Sequence, residues 1–282
     1  MNHTIIDNRE SFKYKDVLER LTSLMDAHIS EGIGIAFSGG VDSSLLLKIA
    51  CEAGKAAGRP VLAITFETRL HPQGDLNEAQ KIAADLGAVH KIIQIDEFAD
   101  PEIINNPVDR CYRCKKLLFQ SLISCANREG YSYLIDGSNY DDLNAYRPGM
   151  KALTELGIHS PLLELQITKE QIRSLAEELG VASSNKPSAP CLATRLPYGS
   201  HLDYDLLNRI DQGEQYLRGL GFYNVRLRVH QDILRIEIDP KDFRKFLEDK
   251  DRIIDRLKEL SFIYLTLDME GFRSGSMDIY IR

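Results

Sequence analysis

Blocks of apolar residues with two distinct spacings organise this chain. Residues Asp16 to Met25 place Val17, Leu18, Leu21, Leu24 and Met25 at helical intervals. Ile33-Gly34-Ile35-Ala36-Phe37 then reads as a buried strand, and Leu45-Leu46-Leu47-Lys48-Ile49-Ala50 as a helix. The alternation continues with a strand from Val61 to Phe66, a helix from Leu76 to Leu86 closed by Gly87, and a strand from His90 to Ile95. A helix over Leu117 to Asn127, a short strand Tyr133-Leu134-Ile135 and a helix from Thr168 to Leu179 follow. Strands alternating with helices predict an α/β fold with a doubly wound parallel sheet. After Tyr198-Gly199 the texture changes to a helix (Tyr204 to Leu220), a strand pair (Val225 to His230 and Leu234 to Ile238), a charged helix (Lys241 to Leu260) and a last strand (Phe262 to Asp268). This part predicts a smaller C-terminal α+β domain, and we expect domains at residues 1–196 and 197–282.

The chemistry concentrates between the first strand and its helix, at Ser38-Gly39-Gly40-Val41-Asp42-Ser43-Ser44. Two glycines let backbone N–H groups approach an anion, and the helix start points its positive end at the same place. Ser38, Ser43 and Ser44 add hydroxyl donors, and the Asp42 carboxylate suits a magnesium ion. A Walker-type loop is excluded because no lysine precedes the hydroxyl residues, and the glycine spacing does not fit a dinucleotide fingerprint. The pattern S-G-G-x-D-S resembles the pyrophosphate loop of the ATP pyrophosphatase (PP-loop) superfamily. That resemblance implies an adenine nucleotide alpha hydrolase-like fold in which the β- and γ-phosphates are gripped while a nucleophile attacks the α-phosphorus.

Composition narrows the setting. The chain has 282 residues, 43% hydrophobic and 27% charged, as expected of a globular protein with a full core. No apolar run is long enough for a transmembrane helix, and Met1-Asn2-His3-Thr4 lacks the start of a signal peptide, so we expect a cytoplasmic protein. A net charge of −7 argues against a nucleic-acid partner, since phosphate contacts need a basic surface. The five cysteines are odd in number, which argues against a disulfide framework.

Three of those cysteines stand apart. Cys111 and Cys114 form C-x-x-C within Asp109-Arg110-Cys111-Tyr112-Arg113-Cys114-Lys115-Lys116, and Cys191 lies in Ala189-Pro190-Cys191-Leu192-Ala193-Thr194-Arg195. Alone, the C-x-x-C suits a redox dithiol, half a zinc site or part of an iron–sulfur site. Three thiolates on a four-iron cluster would leave one iron without a protein ligand. Nearby Arg110, Arg113, Lys115, Lys116 and Arg195 favour an anionic cluster or thiolate nucleophile. Cys51 and Cys125 fall on helical patterns and read as small buried side chains.

Taken together these motifs resemble the LarE family of sulfur transferases, nearly end to end. Besides the loop and the C-x-x-C segment, the resemblance rests on Asp136-Gly137-Ser138-Asn139 with Asp142, on Tyr146-Arg147-Pro148-Gly149, on Ser188 to Arg195, and on Gly271-Phe272-Arg273-Ser274-Gly275-Ser276. It implies a small mononucleotide substrate, pyridinium-3,5-biscarboxylic acid mononucleotide, whose carboxylates ATP adenylates and a sulfur nucleophile converts to thiocarboxylates. It also implies that Ser38, Gly39, Gly40, Asp42 and Ser43 bind ATP and magnesium, and that Thr65 lies near the adenine. Cys111, Cys114 and Cys191 would carry the sulfur chemistry on a [4Fe-4S] cluster, the alternative being Cys191 as a sacrificial sulfur donor. Arg226 and Arg228, alternating on one strand, and Arg273 are the expected grip on the substrate phosphate. The family implies a homo-oligomer, a hexamer. Rival readings are a tRNA-thiolating enzyme, an ammonia-dependent synthetase and a non-catalytic nucleotide sensor.

Overall fold

The computed structural model describes residues 13–72, 75–144, 146–184 and 190–278, which fall into two compact units. Residues up to Thr68, Gln73–Ile95 and Cys111–Ser188 form the first. Arg69–Pro72, Asp96–Arg110 and the chain from Ala189 onward form the second.

In the first unit α1 (Lys15–His28) leads into β1 (Ile33–Ala36), followed by α2 (Val41–Ala57), β2 (Leu62–Thr68), α3 (Asp75–Leu86) and β3 (Val89–Ile95). The short α4 (Pro101–Ile104) belongs to the second unit, after which the chain returns through α5 (Arg110–Arg128) and β4 (Tyr133–Ile135). Helices α6 (Gly149–Glu155), α7 (Pro161–Glu164) and α8 (Lys169–Glu178) complete the unit. Its four strands are all parallel, in the order β3-β2-β1-β4. Strand alternation decides what covers each face. Ile33 and Ile35 point into a core with Leu18, Leu21 and Met25 of α1 and Leu45 and Ile49 of α2. Gly34, one residue out of phase, faces Ala126 of α5, and Phe66 meets Phe119 of α5 with ring centroids 5.9 Å apart. Helices therefore pack on both faces, the doubly wound arrangement that buried parallel strands require.

α5 begins two turns before the Leu117 expected from its apolar face, because its first residues, Arg110 to Lys116, are polar or cationic and carry no helical stripe. Both cysteines of the C-x-x-C consequently sit on its opening turns. The helix over Lys169 starts as its pattern predicts: Thr168 accepts from the Gln171 N–H while Gln171 accepts from the Thr168 N–H, a capping box. Of the loop expected over Ser183 to Pro190, residues 185–189 lie outside the described residues.

In the second unit α9 (Tyr204–Gly219) packs with Leu207, Ile210 and Leu217 buried, against β5 (Val225–His230), which pairs with β6 (Ile233–Ile238). The charged helix expected over Lys241 to Leu260 is instead two helices, α10 (Phe243–Glu248) and α11 (Lys250–Glu259). Asp249 breaks them with ψ near 2°, its carboxylate held 2.6 Å from Arg252 in the next turn. β7 (Tyr264–Leu267) closes a three-stranded sheet, antiparallel between β5 and β6 and parallel between β6 and β7. No helix among the described residues is long and apolar enough to cross a membrane.

Candidate active site

Strand order reverses between β1 and β4, since β2 and β3 extend the sheet on one side of β1 and β4 pairs on the other. A crevice at the carboxyl end of such a reversal is where open α/β sheets bind ligands. The Ser38 loop leaves β1 at that point. Phe37 N–H still donates to Ile64 in β2 (2.7 Å), and then the chain turns. Gly39 takes φ +71°, a left-handed conformation, and a Cβ there would lie 3.2 Å from the Ala79 backbone of α3. Gly40 caps α2, accepting the first helical hydrogen bond from Ser44 N–H (2.9 Å). The hydroxyls of Ser38 and Ser43 lie 3.2 Å apart, and Ser43 Oγ donates to the Gly40 carbonyl (3.2 Å). Glycine backbone, hydroxyls and a 17-residue helix with its positive end inward together make a cradle for phosphate.

The opposite wall comes from the segment after β4. A Cβ on Gly137 would stand 3.2 Å from the Ser43 backbone nitrogen and 3.3 Å from Asp42 Cβ, so only glycine lets this segment close against the start of α2. Its neighbour Asp136 is buried and accepts from the hydroxyls of Ser138 and Ser160 (both 2.6 Å) and from Lys115 of α5 (3.4 Å). Lys115 in turn packs under Gly149, where a Cβ would meet Lys115 Cδ at 2.8 Å and the Cys111 carbonyl at 3.2 Å. The loop, the Asp136-Gly137 segment and the cysteine-bearing turns of α5 are thus one continuous structure.

Asp42 is ion-paired through Oδ2 with Lys169 at the first position of α8, while its Oδ1 is buried without a hydrogen-bond partner. A carboxylate oxygen of that kind suits a hard cation such as magnesium. Thr65, beside the loop on β2, donates to the Phe37 carbonyl (2.7 Å) and accepts from His90 Nε2 on β3 (2.8 Å). Lys169 and His90 carry no signal for the site in the sequence, and Lys115, read there only as positive charge beside the thiols, serves Asp136 instead. Each owes its place to a partner far away in sequence.

The cationic residues around the thiols are largely engaged. Lys115 serves Asp136, Lys116 bonds Tyr112 (3.1 Å) and Glu155 (3.4 Å), and Arg110 is buried against Asn106. Cys114 is buried, and Cys111 and Cys191 are partly so. Cys111 and Cys114 belong to the first unit and Cys191 to the second, and neither unit alone gathers three metal-ligating side chains among the described residues. Thiols suit iron as donors, but no single unit supplies the set of three. Cys51 is buried, which pushes its thiol up to about 11, and Cys125 is buried on α5.

In the second unit Cys191 opens a 3₁₀ turn (Leu192–Arg195) tied down by Arg195, whose Nη1 donates to the carbonyls of Pro190 (3.0 Å) and Cys191 (3.2 Å). Arg195 also binds Glu214 of α9 through both Nε (2.7 Å) and Nη2 (2.8 Å), and both side chains are fully buried. Burial alone would raise the Glu214 carboxyl, yet the charge and hydrogen bonds of Arg195, with Arg226 and Arg218 nearby, hold it down to about 2. Arg226 and Arg228 are also buried. Arg228 pairs with Glu237 across the strands (3.2 Å) and donates to Thr194 O (2.7 Å), and Arg226 lies over the Phe272 ring at 5.1 Å. Desolvation, reinforced by Arg195, Arg228 and Arg218, pushes the Arg226 guanidinium down to about 9 against the pull of Glu214. Arg273 pairs with Asp268 (3.3 Å) and Glu270 (2.6 Å).

A Ser-Gly-Gly cradle between β1 and α2, at the reversal of a parallel sheet, defines the ATP pyrophosphatase class. The family model for asparagine synthase, whose description fits that class, matches residues 19–112. The pyridinium-3,5-bisthiocarboxylic acid mononucleotide synthase of Lactiplantibacillus plantarum is 39% identical over 247 residues, covering 87% of this chain and 88% of the relative. An uncharacterized protein of Synechocystis is 40% identical, covering 86% of this chain and 91% of its own length. One from Methanocaldococcus jannaschii is 32% identical, covering 92% and 98%. The chain belongs to the family of the pyridinium-3,5-bisthiocarboxylic acid mononucleotide synthases, LarE, and is an ATP-dependent sulfurtransferase.

Proposed function

We propose that this enzyme adenylates the carboxylates of pyridinium-3,5-biscarboxylic acid mononucleotide and converts them to thiocarboxylates, a step toward the nickel-pincer nucleotide cofactor. A substrate carboxylate oxygen attacks the α-phosphorus of ATP, the bond to the bridging oxygen breaks, and pyrophosphate leaves. A sulfur nucleophile then adds to the acyl carbon of the adenylate, and AMP departs with the electrons of the broken C–O bond. The observation that carries this reading is the cradle itself. Its N–H groups, hydroxyls and helix end face the place where Gly137 brings in the turn that leads to Lys115 and the cysteine helix.

Ser38, Gly39, Gly40 and Ser43 hold the β- and γ-phosphates, and Thr65 stands on the adenine side. Asp42 is the magnesium ligand, supported by its buried Oδ1; the ion, when bound, neutralises the phosphate oxygens. Arg226 and Arg228, with Arg273, take the mononucleotide phosphate. The lowered Arg226 guanidinium supports this, because an anion there would offset the repulsion among the buried arginines. Cys111, Cys114 and Cys191 are the ligands we assign to a [4Fe-4S] cluster, which would supply an exchangeable sulfide at the iron left without a protein ligand. Residues 1–196 carry the ATP chemistry, and 197–282 hold substrate and support self-association.

Two measurements on anaerobically purified protein test the reading. Pyrophosphate release should depend on the pyridinium mononucleotide, and thiocarboxylate should appear by mass. ATP cleavage that ignores this substrate would overturn its assignment. About four irons with matching sulfide per chain are expected. Metal-free active protein would instead make Cys191 a sacrificial donor, detectable as loss of one sulfur from the chain.

A further inference from the structure

Asn106 holds a backbone conformation that its own turn does not require. It follows α4 with φ +48°, in the left-handed region that a residue with a Cβ enters only at a cost. Pro107 comes next and narrows the choice further. The residue is also completely buried. A strained and buried residue of this kind points to a constraint imposed by its surroundings.

That constraint can be read from its hydrogen bonds, all within the second unit. Asn106 Oδ1 accepts from Nη1 of Arg110, and Nδ2 donates to the carbonyls of Pro197 (2.8 Å) and Leu196 (3.5 Å). A guanidinium only donates and a carbonyl only accepts, so this place needs a group that does both, as a carboxamide does. The Asn106 carbonyl accepts from Gly199 N–H (2.8 Å), and the Ile104 carbonyl accepts from Leu202 N–H (2.7 Å). Residues 104–106 and 196–202 are thereby zipped together.

Both ends of this bridge adjoin cysteines. Arg110 opens α5 and is followed in the chain by Cys111. Leu196 closes the 3₁₀ turn that Cys191 opens. The near side of that turn is held as well, because Leu192 N–H donates to the Leu70 carbonyl (2.7 Å). One amide therefore joins the residue before Cys111 to the segment that ends the Cys191 turn.

We propose that Asn106 is a positioning residue for sulfur transfer, its carboxamide setting the register between the chain that enters Cys111 and the turn that carries Cys191. This rests on the reading of both cysteines as part of the sulfur chemistry. It makes no demand on adenylation, whose cradle lies in the first unit.

The test is the ratio of pyrophosphate released to thiocarboxylate formed, measured on anaerobically purified protein with ATP and the pyridinium mononucleotide. Asn106→Gly tolerates the left-handed backbone and removes both side-chain bonds. Asn106→Asp keeps the acceptor for Arg110 and removes the donors to Leu196 and Pro197. In each, pyrophosphate release should stay within about twofold of wild type while the ratio rises about tenfold, since small misplacements of reacting groups are costly. A merely structural role would lower both products together, so a wild-type ratio in either variant would overturn the proposal. Full sulfur transfer by Cys111→Ser, or wild-type protein that makes no thiocarboxylate, would instead overturn the reading on which it rests. Should neither variant fold, amide exchange of the wild-type chain decides. The Leu192, Gly199 and Leu202 N–H groups should exchange as slowly as those of β5, and exchange about a hundredfold faster would refute a rigid bridge.

Discussion

Two regions of this molecule arrange their polar groups by opposite means. The cradle of the first unit uses neutral groups, namely glycine backbone, serine hydroxyls and a helix end, with one carboxylate and one lysine at its rim. The second unit buries full charges, Arg195, Arg226 and Arg228 with Glu214 and Glu237, and holds them in place by one another. The first arrangement costs little to fold and depends on backbone shape. The second is unstable in pieces, because removing one member strands another charge away from water. Damage to the cradle should therefore show first in activity, and damage to the arginine network first in stability.

The largest effect expected is from Glu214→Gln, which leaves Arg195 buried with its bidentate partner gone and should cost about 3–5 kcal/mol in denaturant unfolding. Its pH dependence sharpens the contrast. With its folded value held down near 2 and the ordinary value at 4.5, Glu214 contributes in full above about 4.5. That contribution drains as the pH falls toward 2, so the gap between wild type and variant should narrow across that window. A gap that stays constant there would mean that the pair is not what stabilises the unit.

Gly39→Ala comes next, with a left-handed backbone and a methyl against α3, and should cost about 1–2 kcal/mol while abolishing ATP binding. Asp42→Ala should leave thermal unfolding within a few degrees of wild type and stop pyrophosphate release; persistent release would take Asp42 out of the chemistry. Least of all should come from Cys51→Ala, which should keep sulfur transfer. At pH 8 the Cys51 thiol should react with iodoacetamide roughly a hundredfold slower than a free cysteine, given its burial and raised ionisation.

The parts of this structure that could be read from sequence are those whose causes are local. The strand Ile33 to Phe37, its Ser-Gly-Gly turn and the start of the following helix lie within a dozen consecutive residues, and each has a distinct signature. The cap of α8 at Thr168 and the short strand Tyr133-Leu134-Ile135 are equally self-contained. What escaped is what depends on distance. The Lys169–Asp42 pair joins residues 127 positions apart, and a lysine opening a helix looks like any solvated charge. His90 reads as one more residue of a strand until Thr65 is placed beside it. The early start of α5 was hidden because its opening turns are anchored by polar contacts rather than by an apolar face. The break at Asp249 lies in a run of charges that offers no period to interrupt.

The reversal in strand order carries a consequence for how the protein is made. β1, its turn and α2 emerge early during synthesis, but the wall that faces them is built from β4, Gly137 and α8. A nascent chain halted before Gly137 would present Asp42 without its counter-ion and Ser43 without the glycine that closes over it. Nucleotide binding should therefore switch on only when that late segment has left the ribosome, so that ATP can reward and stabilise only a chain whose first unit is fully assembled.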